Sequence, residues 1–183
     1  LLQLQVIDQD EAFAFVDKWH RHHDAPAGWR WGVAVNDGQR IVGVACVGRA
    51  VARGFCKEKV VEVNRLCLIP LDQGGVRNAG SKLLGACEAA ALGRGILSVV
   101  SYIQAETENG STYRAANWSP LYLTAGGDWS ETRPRKAGEN TGRKVCYVSP
   151  RSVDPRGLIN QPRLRVEIPK TVQQIRLKFD EPA

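Results

Sequence analysis

Apolar runs rich in β-branched residues occupy residues 4–7, 29–35, 40–48, 60–69, 97–103 and 143–148, and each of these stretches predicts a strand. The stretch at 60–69 is rich in β-branched residues and stops at Pro70, which suits a strand buried on at least one face. Strict alternation there puts Glu62, Asn64 and Leu66 on one face and Val63, Arg65 and Cys67 on the other. Asn36-Asp37-Gly38 joins two of the strands as a tight hairpin turn. Elsewhere the period becomes that of a helix. Phe13, Val16 and Trp19/His20 define a helix that Asp8 or Asp10 caps and Pro26 ends, and Leu83, Ala86/Cys87 and Ala90/Ala91 define a second, closed by Gly93 and Gly95. Strand, crossover helix and strand over residues 60–103 predict a parallel pair. The first amides of the crossover helix then lie at the carboxyl end of the sheet, facing any anion that binds there, phosphate above all.

The glycine-bearing turn before that helix admits two phosphate readings. Gly75 to Gly80 has the spacing of a nucleotide P-loop, but Ser81-Lys82 follow in inverted order, which misplaces the lysine. Arg77-Asn78-Ala79-Gly80-Ser81-Lys82 instead resembles the Arg/Gln-x-x-Gly-x-Gly/Ala turn by which the GNAT superfamily of N-acetyltransferases holds the pyrophosphate of coenzyme A. Tyr113-Arg114-Ala115-Ala116-Asn117-Trp118 is similar to the Tyr-x-x-x-Gly-Phe signature of the same superfamily, with asparagine, the next best residue for a left-handed helix end, in place of glycine. Glu62-Val63-Asn64-Arg65-Leu66, Ser101-Tyr102 and Gly110 to Trp118 narrow the resemblance to the phage and prophage branch that includes the Mom DNA-modification proteins, over residues 5–125.

The resemblance implies an α/β (α+β) fold: a GNAT-like mixed central sheet with flanking helices, extended at the carboxyl end by a strand or arm. It implies an acyl-CoA-dependent N-acyltransferase using acetyl-CoA or a related thioester. Backbone amides of Leu66, Cys67 and Leu68, with Arg77, Asn78, Ala79, Gly80 and Ser81, would hold the cofactor, and glycine at 80 would let the backbone approach the pyrophosphate. Tyr113 would protonate the departing sulfur; the other reading of that residue is a core tyrosine. Glu62 is the candidate base, or else one half of an ion pair with Arg65 or Arg40, and His20 is a candidate catalytic residue facing the substrate. Asn64, Arg65, Ser101, Tyr102, Arg30 and Arg49 are candidate substrate contacts, with Arg53 beside them in a basic loop. Trp19, Trp29 and Trp31 offer stacking faces or core packing. Cys67 reads as a buried cysteine rather than a nucleophile. In the Mom proteins a histidine at the position of His20 belongs to an iron site; here Arg21 and Gln104 stand where its tyrosine and aspartate are expected, so no metal ligand is assigned. The acceptor implied is an amino group of a nucleobase, a nucleotide or a hypermodified DNA base. The competing reading is a non-catalytic GNAT-fold protein that binds nucleic acid or inhibits a partner.

Composition adds limits. The 183 residues fit one domain, expected over 1–149, with residues 150–183 packed on it as a basic extension. Within that extension seven Lys/Arg face four acids, and residues 164–168 and 175–179 alternate as edge strands or an arm would. Five cysteines, odd in number and without Cys-x-x-Cys spacing, argue against a disulfide framework or a cysteine zinc site and for a reducing cytoplasm. No long apolar run and no signal-peptide pattern occur, so a soluble protein with no membrane partner is expected. A net charge of +6 permits polyanionic partners, coenzyme A among them.

Overall fold

The computed structural model describes residues 1–20, 24–52, 54–126 and 142–158. The expected strands at 164–168 and 175–179, the loop of residues 127–141, and Arg21 and Arg53 lie outside the described residues.

Strands β1 (Gln3–Ile7), β2 (Trp31–Asn36), β3 (Ile41–Arg49), β4 (Val60–Leu68), β5 (Ser98–Gln104), β6 (Ser119–Leu123) and β7 (Lys144–Val148) form one mixed sheet in the order β1-β2-β3-β4-β5-β7-β6. Its parallel contact is β4 with β5; the other neighbours are antiparallel. Helix α2 (Ala79–Gly93) makes the crossover between the parallel strands, as their spacing predicts. Its apolar face, Leu83, Leu84, Cys87 and Ala91, packs on Val35, Val47, Val63 and Val99. Helix α1 (Gln9–Trp19) covers the opposite face through Ala12 and Val16, over Ala34, Val44, Cys46 and Cys67. A third cluster of Val60, Val100, Cys146, Phe55 and Leu158 continues that second face beneath β5 to β7.

Several expectations are corrected. Helix α1 stops at Trp19 with His20 as its C-cap, well short of Pro26, because His20 adopts an extended backbone (φ −81°, ψ 123°). Its start agrees with the sequence: Asp8, one of the two expected caps, is the N-cap and accepts from the amide of Glu11 at 2.8 Å. Strand β6 follows Trp118, where no clear pattern announces it: Pro120 sits in the strand beside a register shift, which this edge position tolerates. In β4 the alternation is broken. Cys46 pairs with Arg65 and Val47 with Val63, leaving Asn64 as the extra residue of a β-bulge. Past it the side-chain phase reverses, so that Leu66 and Leu68 join Val61 and Val63 against α2 while Cys67 faces α1.

The segment after β7 is tied back to the core. The Ser149 amide donates to Val99 O at 3.0 Å, and the buried carboxylate of Glu88 on α2 accepts from the Arg151 amide at 2.7 Å and from Arg151 Nε at 2.9 Å.

Candidate active site

Strands β4 and β5 pair over Val60–Ser98, Val61–Val99, Glu62–Val100 and Val63–Ser101, and then diverge. β4 runs on to Leu68 and β5 to Gln104, so the β5-facing edge of β4 beyond Val63 has no strand partner among the described residues. A cavity of about 310 Å³ lies in this fork, lined by β4 from Glu62 to Leu68, β5 from Ser101 to Gln104, and by Trp19, His20, Thr112, Tyr113 and Lys144. A second cavity, about 850 Å³, is lined by residues 26–29, Arg49, Tyr102, Tyr122 and Thr124. Glu62, Asn64, Arg65, Tyr102 and Lys144 line both.

The groups sort by face. On the α2 side, the Ser101 hydroxyl donates to Val63 O at 2.8 Å, the last paired residue of β4, and Ser101 Oγ lies 2.9 Å from the Tyr113 hydroxyl. Helix α3 (Ser111–Ala115) carries Tyr113, which is buried between Tyr147 (4.9 Å between ring centres) and Trp118 (5.7 Å, edge on). The helix closes as its residues predict: Asn117 takes φ 61° and the Trp118 amide donates to Tyr113 O at 2.9 Å. Burial pushes the phenol of Tyr113 above its ordinary range, against the Ser101 hydrogen bond, so it carries its proton at neutral pH.

On the other face, Glu62 is buried and accepts from the Val51 amide at 2.9 Å. Burial pushes its carboxyl above the usual range; the Val51 amide and the charges of Lys144 and Arg65 pull it back only in part. The expected ion pairs do not form: Arg40 reaches Gly74 O at 3.2 Å, and Arg65 donates to Asp24 O at 2.9 Å and to Asn64 O at 2.6 Å. Tyr102 and Tyr122 share a hydrogen bond of 2.6 Å on this face. Asn64 Nδ2 donates to Gly28 O at 2.8 Å, which fixes the amide and leaves Oδ1 buried without a partner; Gln104 Oε1, on the facing strand, is also buried and unpartnered.

Of the other candidates, His20 borders the fork and Arg49 the larger cavity, whereas Arg30 lines neither and donates to Lys57 O at 3.1 Å. Trp19 and Trp29 line the cavities, but Trp31 lies under Arg94 (4.8 Å). The Cys67 thiol is buried and pushed up to about 12, the wrong direction for a nucleophile. Arg77 and Asn78 are exposed at the start of α2, Asn78 in the left-handed conformation (φ 64°), and do not line the fork itself. Gly80 also has a packing role. A Cβ there would lie 2.6 Å from Thr112 Cγ2 and 3.0 Å from Leu68 Cδ1, so the glycine lets α2 sit against α3 and β4. Lys144 and Tyr122 escaped the sequence reading because their place depends on β7 inserting between β5 and β6, which nothing local announces.

A mixed sheet forked between its parallel strands, with a helix start beside the fork, is the fold of the GNAT acetyltransferases. Solved structures agree: the ribosomal-protein-S18-alanine N-acetyltransferase from Escherichia coli (8% identity, 84% of this chain and 96% of that one, TM-score 0.57), the IAA acetyltransferase from Bacillus cereus (12%, 81% and 99%, 0.57), and a Bacillus subtilis acetyltransferase in complex with CoA (12%, 81% and 98%, 0.55). The chain belongs to the Mom protein family, whose profile matches residues 1–152. Comparison with curated protein sequences finds no match. No helix among the described residues is long and apolar enough to cross a membrane.

Proposed function

We propose that this protein transfers an acyl group from a coenzyme A thioester to an amino group. The observation that carries the reading is the fork itself: an unpaired strand edge inside the protein, with Tyr113 on one side of the sheet and Glu62 on the other. The edge of β4 from Asn64 to Leu68 and the orphaned Asn64 and Gln104 oxygens suit an extended, amide-bearing chain, which is what pantetheine is. The amides at the start of α2 and the exposed Arg77 suit its pyrophosphate. The thioester supplies an activated carbonyl. Backbone N–H groups of β4 polarise it, Glu62 accepts a proton from the incoming amine, and Tyr113 donates one toward the sulfur.

The acceptor we propose is an amine on a nucleobase, nucleotide or hypermodified DNA base. Membership of the Mom family supports it, as do Arg49 and Arg65 with Trp29 around the larger cavity, cations for phosphate and a face for a ring. The test is calorimetry with acetyl-CoA, followed by measurement of thiol released with duplex DNA, nucleotides or a lysine peptide as acceptor. Binding together with turnover on DNA or nucleotides supports the reading. Turnover on the peptide alone overturns the acceptor, and absence of acetyl-CoA binding overturns the activity.

A further inference from the structure

The amine that stands where an acceptor must enter belongs to the protein. Among the described residues, Lys144 is the lysine that lines the fork and again the larger cavity. As the first residue of β7 it pairs with Gln104 at the end of β5, beside the divergence. Strand alternation puts its side chain on the face of Cys146, which packs with Tyr102 and Tyr122, and thus on the side of Glu62 rather than that of Tyr113. Its backbone is held at both polar groups: the Lys144 amide donates to Thr124 Oγ1 at 2.8 Å, and Lys144 O accepts from the Thr124 amide at 2.9 Å. With the backbone fixed there, the side chain lines both cavities.

We propose that Lys144 is a site of self-acylation, taking the acyl group of a bound thioester when no acceptor fills the larger cavity. This rests on the transfer reading above. Glu62 lines the same two cavities and lies close enough for the Lys144 charge to act on its carboxyl. In the step, the Lys144 ammonium gives one proton to Glu62 and the free nitrogen bonds to the thioester carbonyl carbon. The carbon–sulfur bond breaks, the sulfur takes the Tyr113 proton, and the second proton leaving the nitrogen restores Tyr113 through solvent. The products are an amide on Lys144 and the free thiol of coenzyme A. The modification removes a cation from the wall shared by the cavities, and with it part of their attraction for a phosphate-bearing acceptor.

The experiment incubates the full chain with acetyl-CoA and no acceptor, then follows intact mass and maps the modified peptide. One acetyl group per chain is expected on Lys144, appearing about tenfold or more faster than on exposed Lys18 or Lys57 because the nitrogen is held beside the thioester. Lys144→Arg should lose that adduct, and Glu62→Gln should slow it. Adducts spread over the exposed lysines, at the rate seen for the heat-unfolded chain, would overturn the proposal. A second readout needs no transfer: coenzyme A itself should shield Lys144 from trace labelling by acetic anhydride, and undiminished labelling also overturns it. External amines acylated while Lys144 stays unmodified would sink this inference and leave the proposed function standing. No calorimetric binding of acetyl-CoA would sink both.

Discussion

Tyr113 gives its hydroxyl proton to Ser101. The Ser101 hydroxyl has a single proton, and the carbonyl of Val63, 2.8 Å away, can only accept it; the 2.9 Å contact between the two hydroxyls therefore has tyrosine as donor. The side chain that caps the end of the parallel pairing also holds the candidate acid, so the fork and the tyrosine are set by the same serine. Tyr113→Phe should slow acyl transfer by about a hundredfold or more and spare coenzyme A affinity, since a general acid acts mainly in the transition state. Steady-state kinetics beside calorimetry would check this, and equal turnover would reduce Tyr113 to packing between Tyr147 and Trp118.

As the proposed base, Glu62 should set the acid side of the pH dependence. Its carboxyl titrates above the ordinary 4.5 because burial penalises the charged form, so activity that needs the carboxylate should fall as pH drops through that raised value, and Glu62→Gln should abolish the limb. Stability runs the other way. A folded-state pKa above the unfolded one favours the native state at low pH, and that contribution disappears as pH rises through the folded value. Denaturant titrations should therefore show Glu62→Gln gaining on the wild type between acid and neutral pH. A constant difference would mean that the carboxyl is not desolvated.

Two glycines of the turn should differ in tolerance. A Cβ at Gly75 would lie 2.0 Å from the backbone oxygen of Ile69 and 2.8 Å from that of Pro70, which cannot yield without moving the chain, whereas at Gly80 the obstacles are the side-chain ends of Thr112 and Leu68. Gly80→Ala should cost about 1–3 kcal/mol by displacing α3, in the range of overpacking. Gly75→Ala should cost more, and urea unfolding of the two variants would rank them. The reverse order would contradict the packing described.

Arg151 should matter more than a surface arginine ordinarily does. Its half-exposed guanidinium faces Glu88, whose side chain is 4% exposed on α2, so Arg151→Ala leaves a buried carboxylate holding only a backbone amide. A loss of about 1–3 kcal/mol is expected in thermal or denaturant unfolding, the exposed side of the pair keeping it below the fully buried range. Glu88→Gln should cost less, because an amide is easier to bury than an unpaired charge.

What the sequence determined by itself is local. Its apolar runs and helical period located six of the seven described strands and both long helices, Asn36-Asp37-Gly38 the hairpin, and Asn117 the left-handed end of α3, because each depends on residues adjacent in the chain. The motif around Gly80 marked the start of α2, but the glycine's packing contact was not legible in it, since Thr112 reaches it from more than thirty positions away. Only the tertiary structure decided the rest. The bulge at Asn64 is a mismatch between two strands and reverses the phase of everything after it, so alternation within β4 could not reveal that Leu66 shares a face with Val63. The fork is a place where pairing stops, and the company of Glu62, Tyr102 and Lys144 follows from β7 entering the sheet between β5 and β6. Pairing partners distant in sequence leave no period in either strand; they are chosen by which edges remain open once α2 has crossed over.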